Sequence, residues 1–246
     1  MMRKFLLSLY FSCIIFSSQL SAQSIVVDSV IRKDAYNKAV SNYFLSMGEN
    51  SMLNHGNEVL EYTIPSQMHQ YFLSDQYMPG EVVANGTRYP DASLLYDIVH
   101  DKLIVKHYSN ILKVEQISEK VESFTMQGHA FERIIADSVS QAIITTGFYE
   151  VLQKGKPLTV YARRTKSPEE QIKDMQVILI FNEKNRLFVK RDNTWYAVSD
   201  RKAALKVMSD KKKEMEDFLK KNKIKFRKQP EAALSQMAAY YDSLKQ

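Results

Sequence analysis

The sequence predicts a mainly β protein: a long antiparallel meander, closed as a barrel or folded as a sandwich, with a short N-terminal helix and a C-terminal helical segment. Three observations point there. Between Glu81 and Ser199, short apolar runs alternate with polar residues at a period near two, the pattern of half-buried strands. The polar breaks between runs are too short for crossover helices, so neighbouring strands must be antiparallel. After Ser199 the period changes to the three-and-four spacing of amphipathic helices. Ten or more strands seldom stay flat in one open sheet, so the meander is expected to curl into a barrel, fold into a sandwich or form blade-like sheets.

The first 22 residues, "MMRKFLLSLYFSCIIFSSQLSA", set Arg3 and Lys4 before an apolar run from Phe5 to Phe16 and end in small and polar residues. That is the layout of a cleavable signal peptide, with a run too short for a comfortable membrane span. The expectation is export, to the periplasm, the outer membrane or the exterior. Cys13 is the only cysteine and lies inside this run, followed by bulky Ile14 and Ile15 rather than the cleavage point of a lipid-anchored protein. The cleaved chain then has no thiol, which excludes disulfides, thiolate metal sites and cysteine nucleophiles. No later stretch approaches the roughly 20 apolar residues of a membrane helix, so the cleaved chain is not expected to be transmembrane.

The formal net charge of +6 is unevenly spread. Residues 200–228 hold twelve Lys and Arg against five Asp and Glu, while residues 23–199 hold 19 against 21. A near-neutral β body (23–199) therefore precedes a basic helical segment (200–246). Nucleic acid is not an expected partner, since an exported chain seldom meets it and no nucleic-acid motif is present.

In chain order, Tyr36, Ala39, Val40, Tyr43, Phe44 and Met47 form one helical stripe, predicting a helix over Asp34–Met47. From Gly48 to Gly80 neither period holds; this stretch reads as irregular, pinned by aromatics, with a strand at Glu58–Thr63. Asn85-Gly86 between apolar runs is a hairpin signal, because a type I′ turn needs two positive φ angles. Strands follow at 93–99, 103–108, 111–117, 121–126, 130–135, 143–152, 158–165, 176–181, 186–190 and 194–198. Glu169 and Glu170, after "TKSP", read as the start of a solvated loop or helical turn. Ser199 and Ser209 are predicted helix caps, Asn222 a stop and Pro230 a first-turn residue. Each helix has one apolar stripe, Leu234, Met237, Ala238, Tyr241 and Leu244 on the last, and must dock on the β body.

"LLYDIVHDKLIVKHY" gathers Asp97, His100, Asp101 and His107. It reads as a hairpin in which Asp101 is a turn residue accepting backbone N–H bonds. Metal ligands must converge within a few ångströms, and tip and mid-strand residues do not, so no metal is expected. His55, His69 and His129 lack ligand spacing, and no nucleophile elbow, phosphate loop or dinucleotide fingerprint occurs in a chain with seven glycines. No cofactor is expected. Spatial sites leave no local trace; an envelope-polymer hydrolase using Glu58, His69 and Asp97 is the enzymatic alternative, and a small-molecule carrier in a barrel interior is another. Lys211, Lys212, Lys213, Lys220 and Lys221 read either as a solvated helix face or as a contact with an anionic surface.

The succession "LNHGNEVLEY", "GEVVANGTRY", "LLYDIVHDKLIV", "GHAFERI" and "GFYEVLQKGK" resembles a group of uncharacterised secreted proteins common in Bacteroidota. The chain departs from that pattern where Asn54 and His55 replace a usual Tyr-Asn pair and Val59 replaces a tyrosine. The resemblance implies an exported β-rich body and brings no catalytic residue. It also implies O-glycosylation at Asp-Ser followed by an aliphatic residue, with Ser29, Ser138 and Ser243 as candidates. The leading functional expectation is a non-enzymatic binding or scaffolding module of the cell envelope, engaging an envelope protein or an anionic envelope surface.

Overall fold

A computed structural model describes residues 24–48, 51–59, 62, 64, 66, 68–107, 109 and 112–245. Residues 1–22, with Cys13 and the signal-peptide features, lie outside these. The chain divides into two compact units, one ending at Ser46 and the other running from Met47 to Gln246. In the first, helix α1 spans Ser24–Met47. It starts ten residues before the expected Asp34, because the β-branched residues upstream cost a helix only tenths of a kcal/mol each and no breaker interrupts them. Asp34 and Lys38 pair at 3.0 Å along its surface.

The second unit is built on eleven strands: β1 (Asn57–Glu58), β2 (Met78–Ala84), β3 (Thr87–Asp97), β4 (Lys102–Lys106), β5 (Lys113–Glu115), β6 (Val121–Met126), β7 (His129–Ile134), β8 (Gly147–Lys154), β9 (Leu158–Lys173), β10 (Gln176–Arg191) and β11 (Thr194–Val198). They form one antiparallel sheet in the order β1-β5-β4-β3-β2-β6-β7-β8-β9-β10-β11. The long meander is therefore present, broken where β2 takes β3 on one side and β6 on the other.

That break bends the sheet. Three strands lie between β5 and β6, so a flat sheet would hold them about 19 Å apart. Residues 116–120 must span this, and they include a tight turn at Ser118–Lys120. Curling brings the ends together, and β3 then touches β8 across the concave side, Tyr96 against Phe148 at 6.0 Å. Phe124 stacks on Phe131 at 4.7 Å, and Phe72 closes on Phe131 at 5.3 Å. These buried rings fill the hollow. The curl stops short of closure: β1 and β11 remain the two edges of a single layer.

Several expected boundaries move. β9 and β10 are each sixteen residues long, paired throughout from Leu158↔Arg191 to Lys173↔Gln176. Glu169 and Glu170 are thus strand residues opposite Ile180 and Leu179, not a loop or helical turn. The Asp174–Met175 turn, with φ of 50° and 61°, supplies the reversal that sets this register. Upstream of β8, Ser140–Ala142 forms a short helical turn, because the Asp137 carboxylate accepts the Val139 and Ser140 N–H groups and ends any strand there. The expected strand at Glu58 is the two-residue β1.

Three helices follow the sheet: α2 (Arg201–Val207), α3 (Lys212–Lys221) and α4 (Pro230–Ser243). Asp200, rather than Ser199, caps α2, its carboxylate accepting the Ala203 N–H at 2.8 Å. Ser209 opens a tight turn, and α3 begins at Lys212 with no side-chain cap. Asn222 ends α3 and Pro230 starts α4, as their chemistry requires. The helices dock as expected: Ala204, Met215, Leu219, Leu234, Met237 and Tyr241 share one core with Leu158, Val160 and Ala162 of β9 and Leu187 and Val189 of β10.

Candidate functional site

The β3–β4 hairpin reverses the roles expected of its two aspartates. Asp97 caps the turn, its Oδ1 accepting the Val99 and His100 N–H groups at 2.8 and 3.0 Å while Oδ2 meets His100 Nδ1 at 2.8 Å. Asp101, in the left-handed region at φ 59°, instead reaches across the sheet. It accepts the Tyr96 hydroxyl at 2.6 Å, the Phe148 N–H at 3.2 Å and both terminal nitrogens of Arg163. Burial pushes the Tyr96 hydroxyl well above its ordinary pKa, and the adjacent Asp101 adds to the shift. Burial alone would lower Arg163, but its hydrogen bonds to Asp101 outweigh that and raise it. This cluster is a clamp. His107 turns away, its Nδ1 within 2.7 Å of Ser109 Oγ.

Beside the clamp, Lys166 Nζ donates to the carbonyls of His69 and Tyr71 at 2.9 and 2.7 Å. Burial lowers the pKa of this lysine, and burial followed by the lysine's charge lowers that of His69. Tyr71 bridges to Asp97, so His69 and Asp97 do share a corner. Glu58 does not join them: it pairs with Val114 on the outermost strand, three ladders from β3. Lys166 and the Tyr71–Asp97 bridge hold residues 69–72 against the sheet, while the buried His69 Nδ1 makes no hydrogen bond among the described residues. Among the described residues no group of three or more His, Cys, Asp and Glu is arranged to hold a metal.

A second, partly buried network has no counterpart among the residues singled out from the sequence. Arg164 donates from Nε to Glu150 at 2.6 Å and from its two terminal nitrogens to Glu231 at 2.5 and 2.8 Å. His129 Nδ1 lies 2.5 Å from the other Glu150 oxygen. The network ties β8 and β9 to the first turn of α4. Its one local signal is "ARRT": strand alternation must send Arg163 and Arg164 to opposite faces, and each finds a carboxylate there.

The lysines divide. Lys211 is drawn to Glu214 at 3.3 Å and Lys212 to Glu216 at 4.0 Å. Lys212 and Lys220 line two adjoining grooves that share Arg201 and Glu216. The first, about 560 Å³, also takes Lys202, Leu205 and Lys206; the second, about 710 Å³, takes Lys223 and Lys225. Lys213 and Lys221 are exposed outside both linings. The basic surface is thus made by α2 and α3 together, and Arg201, Lys202 and Lys206 were missed because they lie five to ten residues upstream of the lysine run. Asp210 does not oppose this surface. Burial would raise its carboxyl, but hydrogen bonds from Lys245, Tyr241 and Arg191 outweigh burial and hold it far below the usual carboxylate range.

The glycosylation candidates differ in setting. Ser138 is exposed in the turn that Asp137 organises, whereas Ser243 lies in the last turn of α4 with its hydroxyl on the Tyr240 carbonyl at 2.7 Å. Ser29 is exposed on α1. No described helix is long and apolar enough to cross a membrane. No family model, curated protein or solved structure matches the chain.

Proposed function

We propose that this is an exported cell-envelope binding module that holds an anionic partner surface against α2 and α3. The observation that carries the reading is the convergence of cations from two helices around two adjoining grooves. α3 buries Met215 and Leu219 in the core and turns its lysines outward, so binding needs no unfolding of the docked helix. Each cation near an anionic surface contributes about 1 kcal/mol, screened by salt. The hydrolase alternative has less support, since Glu58 stands apart from His69 and Asp97.

The test is flotation of the mature chain with vesicles carrying phosphatidylglycerol or lipid A phosphates, against neutral vesicles, at low and high salt. Salt-sensitive capture by anionic vesicles, lost in a Lys206→Glu, Lys220→Glu variant, supports the reading. Equal recovery on neutral vesicles, or no effect of the variant, removes it. Ser138 is the proposed glycan position; an intact mass equal to the unmodified mature chain would discard that part alone.

A further inference from the structure

β10 outruns its neighbour. β9 pairs with it along Gln176–Arg191, whereas β11 pairs only with Leu187–Arg191. The two-residue turn Asp192–Asn193, with positive φ at both positions, makes Arg191 and Thr194 the first hydrogen-bonded pair. Bonding then alternates in steps of two, so Arg191, Val189 and Leu187 direct their N–H and C=O groups at β11. The same parity turns the peptide groups of Asn185 and Glu183 to that side, past the end of β11. Among the described residues no backbone partner meets them there. Leu179 shares the parity, and its carbonyl accepts the Ser66 hydroxyl at 2.6 Å, which covers the edge again. Among the described residues, the stretch left open lies between, at residues 182–186.

A groove of about 610 Å³ adjoins this edge, lined by Lys184, Arg186 and Phe188 of β10, Val198 at the end of β11, Ile143, and Pro230 at the start of α4. Lys184 and Arg186 are exposed, lie on one face of the strand and pair with no carboxylate among the described residues. We propose that this edge receives an extended acidic segment of a partner protein as an added strand. Main-chain bonds would form at Glu183 and Asn185. Residues of the incoming strand opposite Lys184 and Arg186 would occupy non-hydrogen-bonded positions, where side chains approach most closely, so acidic residues two apart meet both cations. Phe188, Val198, Ile143 and Pro230 offer apolar surface to a flanking side chain. A second copy of this chain fits poorly: antiparallel pairing about Asn185 sets Lys184 against the other copy's Arg186. Basic residues on an edge also guard against aggregation, and binding distinguishes the two roles.

The test uses the full mature chain and a capped peptide alternating glutamate with valine. Amide exchange at Glu183 and Asn185 should slow on saturation, and Lys184→Glu with Arg186→Glu should weaken binding by about tenfold. A peptide with lysine for glutamate should bind that double variant, which also shows that the variant is folded. A proline in place of the valine between the two paired glutamates, opposite Asn185, should abolish binding, because a ladder bond is lost. Absence of binding, indifference to the charge reversal or tolerance of the proline would each overturn the proposal. Concentration-dependent dimerisation blocked by the double variant would assign the edge to a second copy and overturn it as well. None of these variants touches α2 or α3, so the outcome is independent of the basic-face reading.

Discussion

Asp101 and Arg163 lock the curl of the sheet: the guanidinium on β9 gives both terminal nitrogens to the carboxylate in the β3–β4 turn, at 2.9 and 2.8 Å. Both side chains are mostly buried, at 22% and 12% exposure, so the pair is poorly screened. Asp101→Asn keeps the left-handed turn, which asparagine tolerates, and removes the charge that Arg163 needs. The expected loss is about 3 kcal/mol of unfolding free energy in urea titrations. A change below about 0.5 kcal/mol, the range of ordinary surface substitutions, would show that the clamp is not what holds the curl.

Docking of α4 rests on shared apolar packing. Leu234 is fully buried against the β9–β10 side of the sheet, and Leu234→Ala should cost about 3 kcal/mol through lost transfer energy and a residual cavity. Because helices and sheet share that core, far-ultraviolet circular dichroism and Trp195 fluorescence should report one coincident transition. Separate transitions would mean that the helices fold apart from the sheet.

Asp210 makes stability depend on acid. Its folded pKa lies below the unfolded value of about 3.9. The stabilisation is therefore complete above that unfolded value and is lost as pH falls towards the folded one, because the unfolded state there binds more protons. Urea midpoints of the native chain should drop between pH 5 and pH 2.5, chosen to bracket about 3.9. Asp210→Asn should show a smaller drop and a lower midpoint at pH 5. An equal drop in both would place the acid sensitivity elsewhere.

The tip of the β9–β10 ribbon has room for improvement. Met175 sits at φ 61° and is 98% exposed, so it bears the left-handed penalty without compensating burial. Met175→Gly should relieve about 1 kcal/mol of that penalty, seen as slower amide exchange at Lys173 and Gln176. Faster exchange would indicate that Met175 contributes contacts that glycine loses.

The Asn85–Gly86 hairpin was legible because its chemistry is local: φ values of 48° and 70° are what a type I′ turn demands and what these residues supply. The C-terminal helices were legible by their apolar stripes. The outer half of β9 was not, because residues 167–173 are exposed throughout and need no period-two pattern. Nor could the hairpin's sequence say which of Asp97 and Asp101 faces inward; that depends on Arg163, 62 residues away. The basic face was half legible: the lysine run stands out, but its grooves require Arg201, Lys202 and Lys206 from the neighbouring helix.

By itself, the sequence determined the antiparallel meander, the helical end and the absence of local catalytic motifs, since periodicity, turn chemistry and spacing are properties of neighbours along the chain. Only the tertiary structure decided that the sheet curls without closing, that Arg164 joins β9 to α4, and that β10 extends past the end of β11. Those outcomes follow from where distant strands begin and end relative to one another, and such relations arise only once the chain has folded back on itself.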